Sequence, residues 1–187
     1  MLVMFEKSSP NLTQVHPLPA VLRGFHWVTV VLLVIMFALA WTFDWIGPST
    51  ISATPVDLHR SFGILLFVVV VMRLLWRATH RLDPLPGGTP SWEHLLASAV
   101  QAALYACLLA MPFLGWVASA LSGDTISAFG LTLPDVFSMD EDRSEWLFEL
   151  HGTLGWILLG LVGLHVAGAL RHHFIKRDGV MNRMWLW

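Results

Sequence analysis

The sequence predicts an all-α membrane protein, a bundle of four transmembrane helices with both termini on the cytoplasmic side. Three observations predict it: an apolar composition, four apolar runs of spanning length, and an uneven distribution of charge. Of the 187 residues, 56% are hydrophobic and 13% are charged, whereas soluble proteins carry about a quarter charged residues. The net charge is only -2, whereas a nucleic-acid-binding protein is expected to carry a basic stripe, so no nucleic-acid partner is expected.

The four apolar runs cover residues 21–43, 56–76, 95–121 and 147–174. Each reaches the length of about 20 residues that a helix needs to cross a lipid bilayer. The first run is not followed by a small-residue cleavage pattern, so it is expected to remain as a helix and not to be a signal peptide. Residues 82–92 are rich in Pro and Gly and predict a short linker, and residues 122–146 are expected to hold at most a short surface helix or a re-entrant segment. One transmembrane domain is therefore expected over residues 1–187.

Charged residues orient the predicted bundle. The segment between the third and fourth runs is acidic, whereas the loop between the second and third runs and the C-terminal tail are basic. Because basic residues stay on the cytoplasmic side, both termini are expected there and the acidic loop outside. The basic residues are Arg77, Arg81, Arg171, Lys176, Arg177 and Arg183, and the acidic ones are Asp124, Asp135, Asp140, Glu141, Asp142, Glu145 and Glu149.

Four histidines within the runs fall at two depths. His151 and His165 are fourteen positions apart in the fourth run, which leaves a net rotation of about 40° and a separation of about 21 Å along the helix axis. With the helices antiparallel, His26 lies near the inner end of the first helix and His59 near the outer end of the second. The levels pair His26 with His165 inside and His59 with His151 outside.

Paired imidazoles on facing helices point to haem. An iron with two histidine ligands is six-coordinate and suits electron transfer more than oxygen binding. Gly63, Gly155 and Gly168 each lie within about one turn of a candidate ligand and leave a surface free of side chains beside it. With a single cysteine in the chain there is no CxxCH motif, so the haems would be non-covalent.

Two other interpretations of the histidines compete with this one. Each histidine or glycine alone is more often structural, since both serve helix packing in membranes, but ionisable residues in spans are usually functional and four at matched levels favour ligation. A metal-binding transporter or membrane metalloprotease is disfavoured, because HExxH is absent and the two pairs are too far apart in depth to share one zinc ion.

Three further residues are candidate contacts of a haem or a quinone. Arg73 follows His59 by fourteen positions, so it could pair with the propionates of the inner haem or extend its charge to the cytoplasmic surface. Arg60 is a comparable candidate on the outer side, with an ordinary interfacial charge as the alternative. His172, seven positions after His165, could bind a propionate or a quinone, or simply belong to the basic cluster.

Motifs along the chain resemble those of the bacterial cytochrome b561 family of the four-helix, di-haem type. They are FHW around His26, LHRSFGILL around His59, VMRLLWR around Arg73, the segment ISAFGLTLP, LHGTLGW around His151, and LHVAGALRHHF around His165. The chain departs from several relatives in having Gln101 where they have a histidine before the third-helix LxxY stretch.

The resemblance implies two haem b groups with His26, His59, His151 and His165 as axial ligands of the iron. It also implies a multi-pass protein of the bacterial inner membrane that exchanges electrons between the quinone pool, such as ubiquinone, and a periplasmic redox partner. Some members of the family resemble superoxide oxidases, which pass electrons from superoxide to ubiquinone. The alternative is a cytochrome b subunit that anchors a periplasmic dehydrogenase or hydrogenase.

Overall fold

The computed structural model describes residues 17–46, 53–80, 90–134 and 136–185. The first three helices are α1 (Ala20–Ile46), α2 (Ala53–Thr79) and α3 (Ser91–Leu121). The fourth, α4 (Glu141–Arg171), continues into a π-helical turn at His172–Lys176, and a 3-10 turn follows at Met181–Met184. All four helices are long and apolar enough to cross a membrane, which confirms the predicted four-helix fold; the cytoplasmic side of the termini stays a prediction.

The helices are longer than the apolar runs, because their ends are built from polar residues. Helix α4 begins six positions before residue 147, where Asp140 accepts a hydrogen bond from the N–H of Arg143 at 3.1 Å. The acidic Glu141 and Asp142 follow in the first turn, where negative charge is favourable at a helix N-terminus. Arg81, most of the predicted linker and Asp135 lie outside the described residues.

A small β-hairpin occupies the loop between α3 and α4, where at most a short surface helix or a re-entrant segment was expected. Its strands β1 (Ser127–Ala128) and β2 (Leu131–Thr132) pair antiparallel. Phe129 and Gly130 form the turn, both with positive φ, which is the backbone that two-residue hairpins require. The hairpin rests on α2, where Ser61 Oγ accepts the Phe129 N–H at 2.9 Å.

The packing of the bundle is uneven. Backbones approach closely between α1 and α2, between α2 and α3, and between α3 and α4, whereas α4 has almost no close backbone contact with α1 or α2. A buried apolar cluster fills the middle of the bundle, formed by Leu32, Leu66, Val70, Cys107, Leu108 and Leu158. Side chains of this cluster join α4 to α1 and α2 in the middle of the bundle. Toward either end of the bundle, α4 stays apart from these two helices.

Candidate functional site

His59 on α2 and His151 on α4 face each other across this space. Their ring centres lie 6.2 Å apart and their planes are inclined by 66°. Both residues are near the N-terminal ends of their helices, so they occupy the end of the bundle that carries the β-hairpin. We refer to them as the outer pair.

His26 on α1 and His165 on α4 form the inner pair at the opposite end. Their ring centres are also 6.2 Å apart, with an interplanar angle of 65°. The two pairs thus share nearly the same geometry although they use different helices. The structure brings together the four histidines in the combination that their spacing predicts; ligation itself stays a prediction.

The separation within each pair fits one metal atom between two imidazoles. A metal–nitrogen bond of about 2.0 Å and about 1.1 Å from nitrogen to ring centre, taken twice, give about 6.2 Å for ligands on opposite sides of an ion. Rings in direct edge-to-face contact also lie about 4.5–7 Å apart, so the signal for a shared metal is that two histidines meet with the same separation at both levels. No group of three or more His, Cys, Asp or Glu side chains suited to a metal occurs in the described residues, so these pairs do not resemble a tetrahedral zinc site.

Two features of α3 hold the His151 ring in place. Its Nδ1 lies 3.0 Å from the Met111 carbonyl oxygen, and because a carbonyl only accepts, Nδ1 carries the proton and Nε2 keeps a lone pair. A Cβ added at Gly115 would lie 3.2 Å from His151 Cε1 and 3.3 Å from Nδ1. The absence of a side chain at Gly115 therefore allows the ring to lie against α3.

A cavity of about 530 Å³ surrounds the outer pair, within the size range of sites for cofactors and drug-sized ligands. Mostly apolar side chains from all four helices line it, together with Gly63, Gly115 and Gly155. The indole Nε1 of Trp116, on the lining, is buried and has no hydrogen-bond partner in the described part of the chain. An indole N–H only donates, so this buried donor at the wall of the cavity lacks an acceptor among the described residues.

The predicted glycines differ in their surroundings. Gly63 and Gly155 line the outer cavity, where an added Cβ would meet Met36 Cε at 3.4 Å and Met111 Cε at 3.7 Å. A Cβ at Gly168, near the inner pair, would meet no heavy atom within 4 Å. Only Gly168 therefore has open space beside it, whereas Gly63 and Gly155 border the outer cavity in contact range of methionine side chains.

The three secondary candidates have different partners. Arg60 lines the outer cavity but forms ion pairs with Asp124 and, at 4.0 Å, with Asp57, so its charge is already balanced. Arg73 follows His59 on α2 by fourteen positions, the interval that separates His151 from His165 on α4, so it lies at the level of the inner pair. His172 Nδ1 contacts Asp178 Oδ2 at 2.6 Å and is thereby tied to the C-terminal segment.

The C-terminal segment covers the inner end of α1. Trp27 donates its indole N–H to the Met184 carbonyl at 2.9 Å, and the Leu18 N–H bonds to the Arg183 carbonyl at 2.9 Å. The Trp27 ring also contacts the His26 ring edge-to-face, with centres 5.6 Å apart. The segment therefore packs one residue away from a candidate ligand.

Gly115, Met111 and Trp116 were not singled out as site residues from the sequence. All three lie on α3, which contributes no paired histidine, so histidine spacing could not find them. One feature of the sequence could have indicated Gly115: the motif MPFLGW places a glycine within the third span, at the depth of the outer pair.

Comparison with known proteins places the chain in a family. The family model described as prokaryotic cytochrome b561 matches residues 18–187. The chain is 34% identical to cytochrome b561 homolog 2 of Escherichia coli (strain K12) over 86% of its own length and 87% of that protein. It is 26% identical to the probable superoxide oxidase CybB of Yersinia pestis, over 86% of this chain and 91% of that one. The chain therefore belongs to the prokaryotic cytochrome b561 family and is a multi-pass bacterial membrane cytochrome, with the haem b and the electron-transport role that this family implies.

Proposed function

We propose that this cytochrome holds two non-covalent haem b groups and transfers electrons between the quinone pool and a periplasmic redox partner. His59 and His151 would hold one haem, and His26 and His165 the other. The observation that carries the proposal is the equal separation of 6.2 Å in both pairs, which suits one iron between the two rings of each pair.

The residues around the pairs support electron transfer over substrate chemistry. Iron with two imidazole ligands has no open position, so the bound haem supplies reversible one-electron transfer. The Met111 carbonyl orients His151 with Nε2 available to the metal. The mostly apolar lining of the outer cavity keeps the surroundings of the site low in dielectric constant.

The arrangement of the pairs supports passage of electrons across the membrane. His151 and His165 lie on one helix, about 21 Å apart along its axis, and the buried cluster around Val70 and Leu108 lies within the bundle between the two levels. With the basic tail in the cytoplasm, the outer pair faces the periplasm. The outer site would then exchange electrons with the periplasmic partner, and quinone would react from the surrounding lipid.

Superoxide is a second candidate electron donor, supported by the name of the Yersinia pestis relative. Two superoxide ions would each lose one electron and leave as O₂, and one ubiquinone would take up both electrons and two protons to become ubiquinol. A test is rapid mixing of the oxidised protein with superoxide. Reduction of the haems, followed by ubiquinone-dependent reoxidation, is expected; haems that stay oxidised would contradict this donor.

The haem assignment is tested on the purified protein. We expect a b-type band in the reduced-minus-oxidised spectrum and two haems per chain. His151→Ala and His165→Ala should each remove a different haem, whereas His173→Ala, at an exposed position beyond α4, should remove neither. Retention of both haems in the two ligand variants would disprove the assignment. Copurification of a soluble dehydrogenase or hydrogenase would favour the alternative role as a membrane anchor.

A further inference from the structure

Two buried hydrogen-bond donors without acceptors lie side by side near the inner pair. Tyr105 on α3 is the single tyrosine of the chain, and its hydroxyl is buried with no hydrogen-bond partner among the described residues. The guanidinium carbon of Arg73 on α2 lies 5.6 Å from the centre of the Tyr105 ring. The Arg73 Nε is likewise buried and unpartnered within the part of the chain that the structure describes.

The charge of Arg73 is also unbalanced. No carboxylate forms an ion pair with Arg73 in the described ranges. Arg73 follows His59 on α2 by fourteen positions, so it lies on the same face of that helix, about 21 Å further along the axis and at the level of the inner pair. A buried donor without an acceptor is costly, and a half-buried charge without a counter-charge adds to that cost. Arg73 and Tyr105 together therefore suit an anionic group with acceptor oxygens beside the inner pair.

Arg77, one turn further along α2, differs in surroundings. It also approaches the Tyr105 ring, with its guanidinium carbon 6.0 Å from the ring centre. Its side chain is exposed, and its guanidinium lies 3.4 Å from the amide oxygen of Gln101. Arg77 is thus exposed and has an acceptor, whereas Arg73 lacks both an acceptor for its Nε and a counter-charge in the described residues. Arg77 therefore offers a matched control.

We propose that Arg73 and Tyr105 bind a propionate carboxylate of the haem held between His26 and His165. The guanidinium would supply charge and N–H donors, and the Tyr105 hydroxyl would donate to a carboxylate oxygen. This inference rests on the proposed function, since it requires a haem at the inner pair. Both residues act as positioning residues that hold the inner haem and tune its potential.

The test uses the haem-loaded protein in detergent, with variants Arg73→Gln, Arg73→Lys, Tyr105→Phe and the control Arg77→Gln. Loss of a charge-assisted hydrogen bond should speed transfer of the inner haem to excess apomyoglobin by about tenfold or more. Arg73→Gln should also lower the midpoint potential of the inner haem, because a cation favours the reduced state. Arg73→Lys should restore the potential in part, and Tyr105→Phe should speed haem loss with the charge intact. The outer haem should be unchanged in every variant.

The outcomes separate this inference from the function on which it rests. Wild-type protein that lacks a haem dependent on His165 would refute the proposed function. Wild-type protein with both haems, but with Arg73→Gln and Tyr105→Phe indistinguishable from Arg77→Gln in potential and haem loss, would refute the propionate site alone. If the Arg73→Gln protein does not accumulate in the cell, Tyr105→Phe alone tests the propionate site, because this substitution removes one hydroxyl and keeps the ring. An inner-haem potential that differs between nanodiscs of phosphatidylglycerol and of phosphatidylcholine, and loses that difference in Arg73→Gln, would instead identify a lipid phosphate as the anion.

Discussion

At the scale of single residues, the outer pair depends on one glycine. A Cβ at Gly115 would lie 3.2 Å from the His151 ring, closer than ordinary van der Waals contact. We expect Gly115→Ala to push the ring from its place against Met111 and to lower the occupancy or shift the potential of the outer haem. Optical titration of haem content and potential measures the change.

Gly160→Ala is the matched control for this substitution. Gly160 also lies in a membrane-spanning helix, but a Cβ there would meet no heavy atom within 4 Å. Alanine should therefore be neutral or slightly favourable, because it has the higher helix propensity. Equal effects of the two alanines on the outer haem would show that the contact with Gly115 does not position His151.

The sequence allowed the histidine pairs to be predicted, but not the residues that hold them. His151 and His165 are related by the helical repeat, which sequence spacing expresses directly. The contact of Gly115 and Met111 with His151 joins α3 to α4, across 36 and 40 positions of the chain. Such a contact depends on how two helices rotate against each other, and no local pattern encodes that rotation.

At the scale of elements, the β-hairpin is held on α2 by one polar contact and one aromatic contact. Ser61 Oγ accepts the Phe129 N–H, and the rings of Phe62 and Phe129 lie 5.7 Å apart. We expect Ser61→Ala to loosen the hairpin by about 1 kcal/mol, the typical net contribution of a hydrogen bond. Hydrogen exchange at the Phe129 amide should become several-fold faster.

Ser122→Ala serves as the control for the hairpin. Ser122 Oγ donates to the Ser119 carbonyl within its own segment of chain, so its loss should leave exchange at Phe129 unchanged. Unaltered exchange in Ser61→Ala would mean that this hydrogen bond does not hold the hairpin on α2. The hairpin escaped sequence analysis because strands of two residues are too short to show alternation of apolar and polar residues.

The C-terminal segment should respond to pH through Asp178. Burial by itself would raise the pKa of Asp178, but hydrogen bonds from His172 and the Val180 N–H, with the charge of Lys176, outweigh it and hold that pKa below its usual value. A carboxyl group with a lowered pKa stabilises the folded form above its unfolded pKa, about 3.9, and loses this contribution as the pH falls through the folded value. We expect the segment to be held at neutral pH and to loosen below about pH 4.

Asp178→Asn should loosen the same segment already at neutral pH and reduce its dependence on acid. Hydrogen exchange over residues 172–185, corrected for the intrinsic effect of pH, measures both. Asp142→Asn, which alters an exposed carboxylate in the first turn of α4, is the control and should behave as the wild type in this segment. Acid-induced loosening that is equal in Asp178→Asn and the wild type would assign the effect to another group.

At the scale of the whole molecule, the open space between α4 and the α1–α2 pair is the feature that links fold to function. Each helix packs closely on the next one in the chain, α1 on α2, α2 on α3 and α3 on α4, but the backbone of α4 hardly contacts α1 or α2. In water such a gap would collapse, but side chains exposed to lipid gain nothing from closing it, because lipid tails are as apolar as the protein. A large flat ligand held by histidines from both sides can therefore take up the space.

The orientation of this bundle decides which histidine pair meets a periplasmic partner. Basic residues cluster at the end of α4 and in the tail, with Arg171, Lys176 and Arg177, whereas acidic residues begin α4 with Glu141 and Asp142. By the positive-inside rule we expect the C-terminus in the cytoplasm. A green fluorescent protein fused after residue 187 should fluoresce in bacterial cells, and an alkaline phosphatase fused there should be inactive; the same phosphatase inserted at Gly130 should be active. The reverse pattern would place the inner pair, and not the outer one, next to the periplasm, and the direction of the proposed electron path would have to be inverted with it.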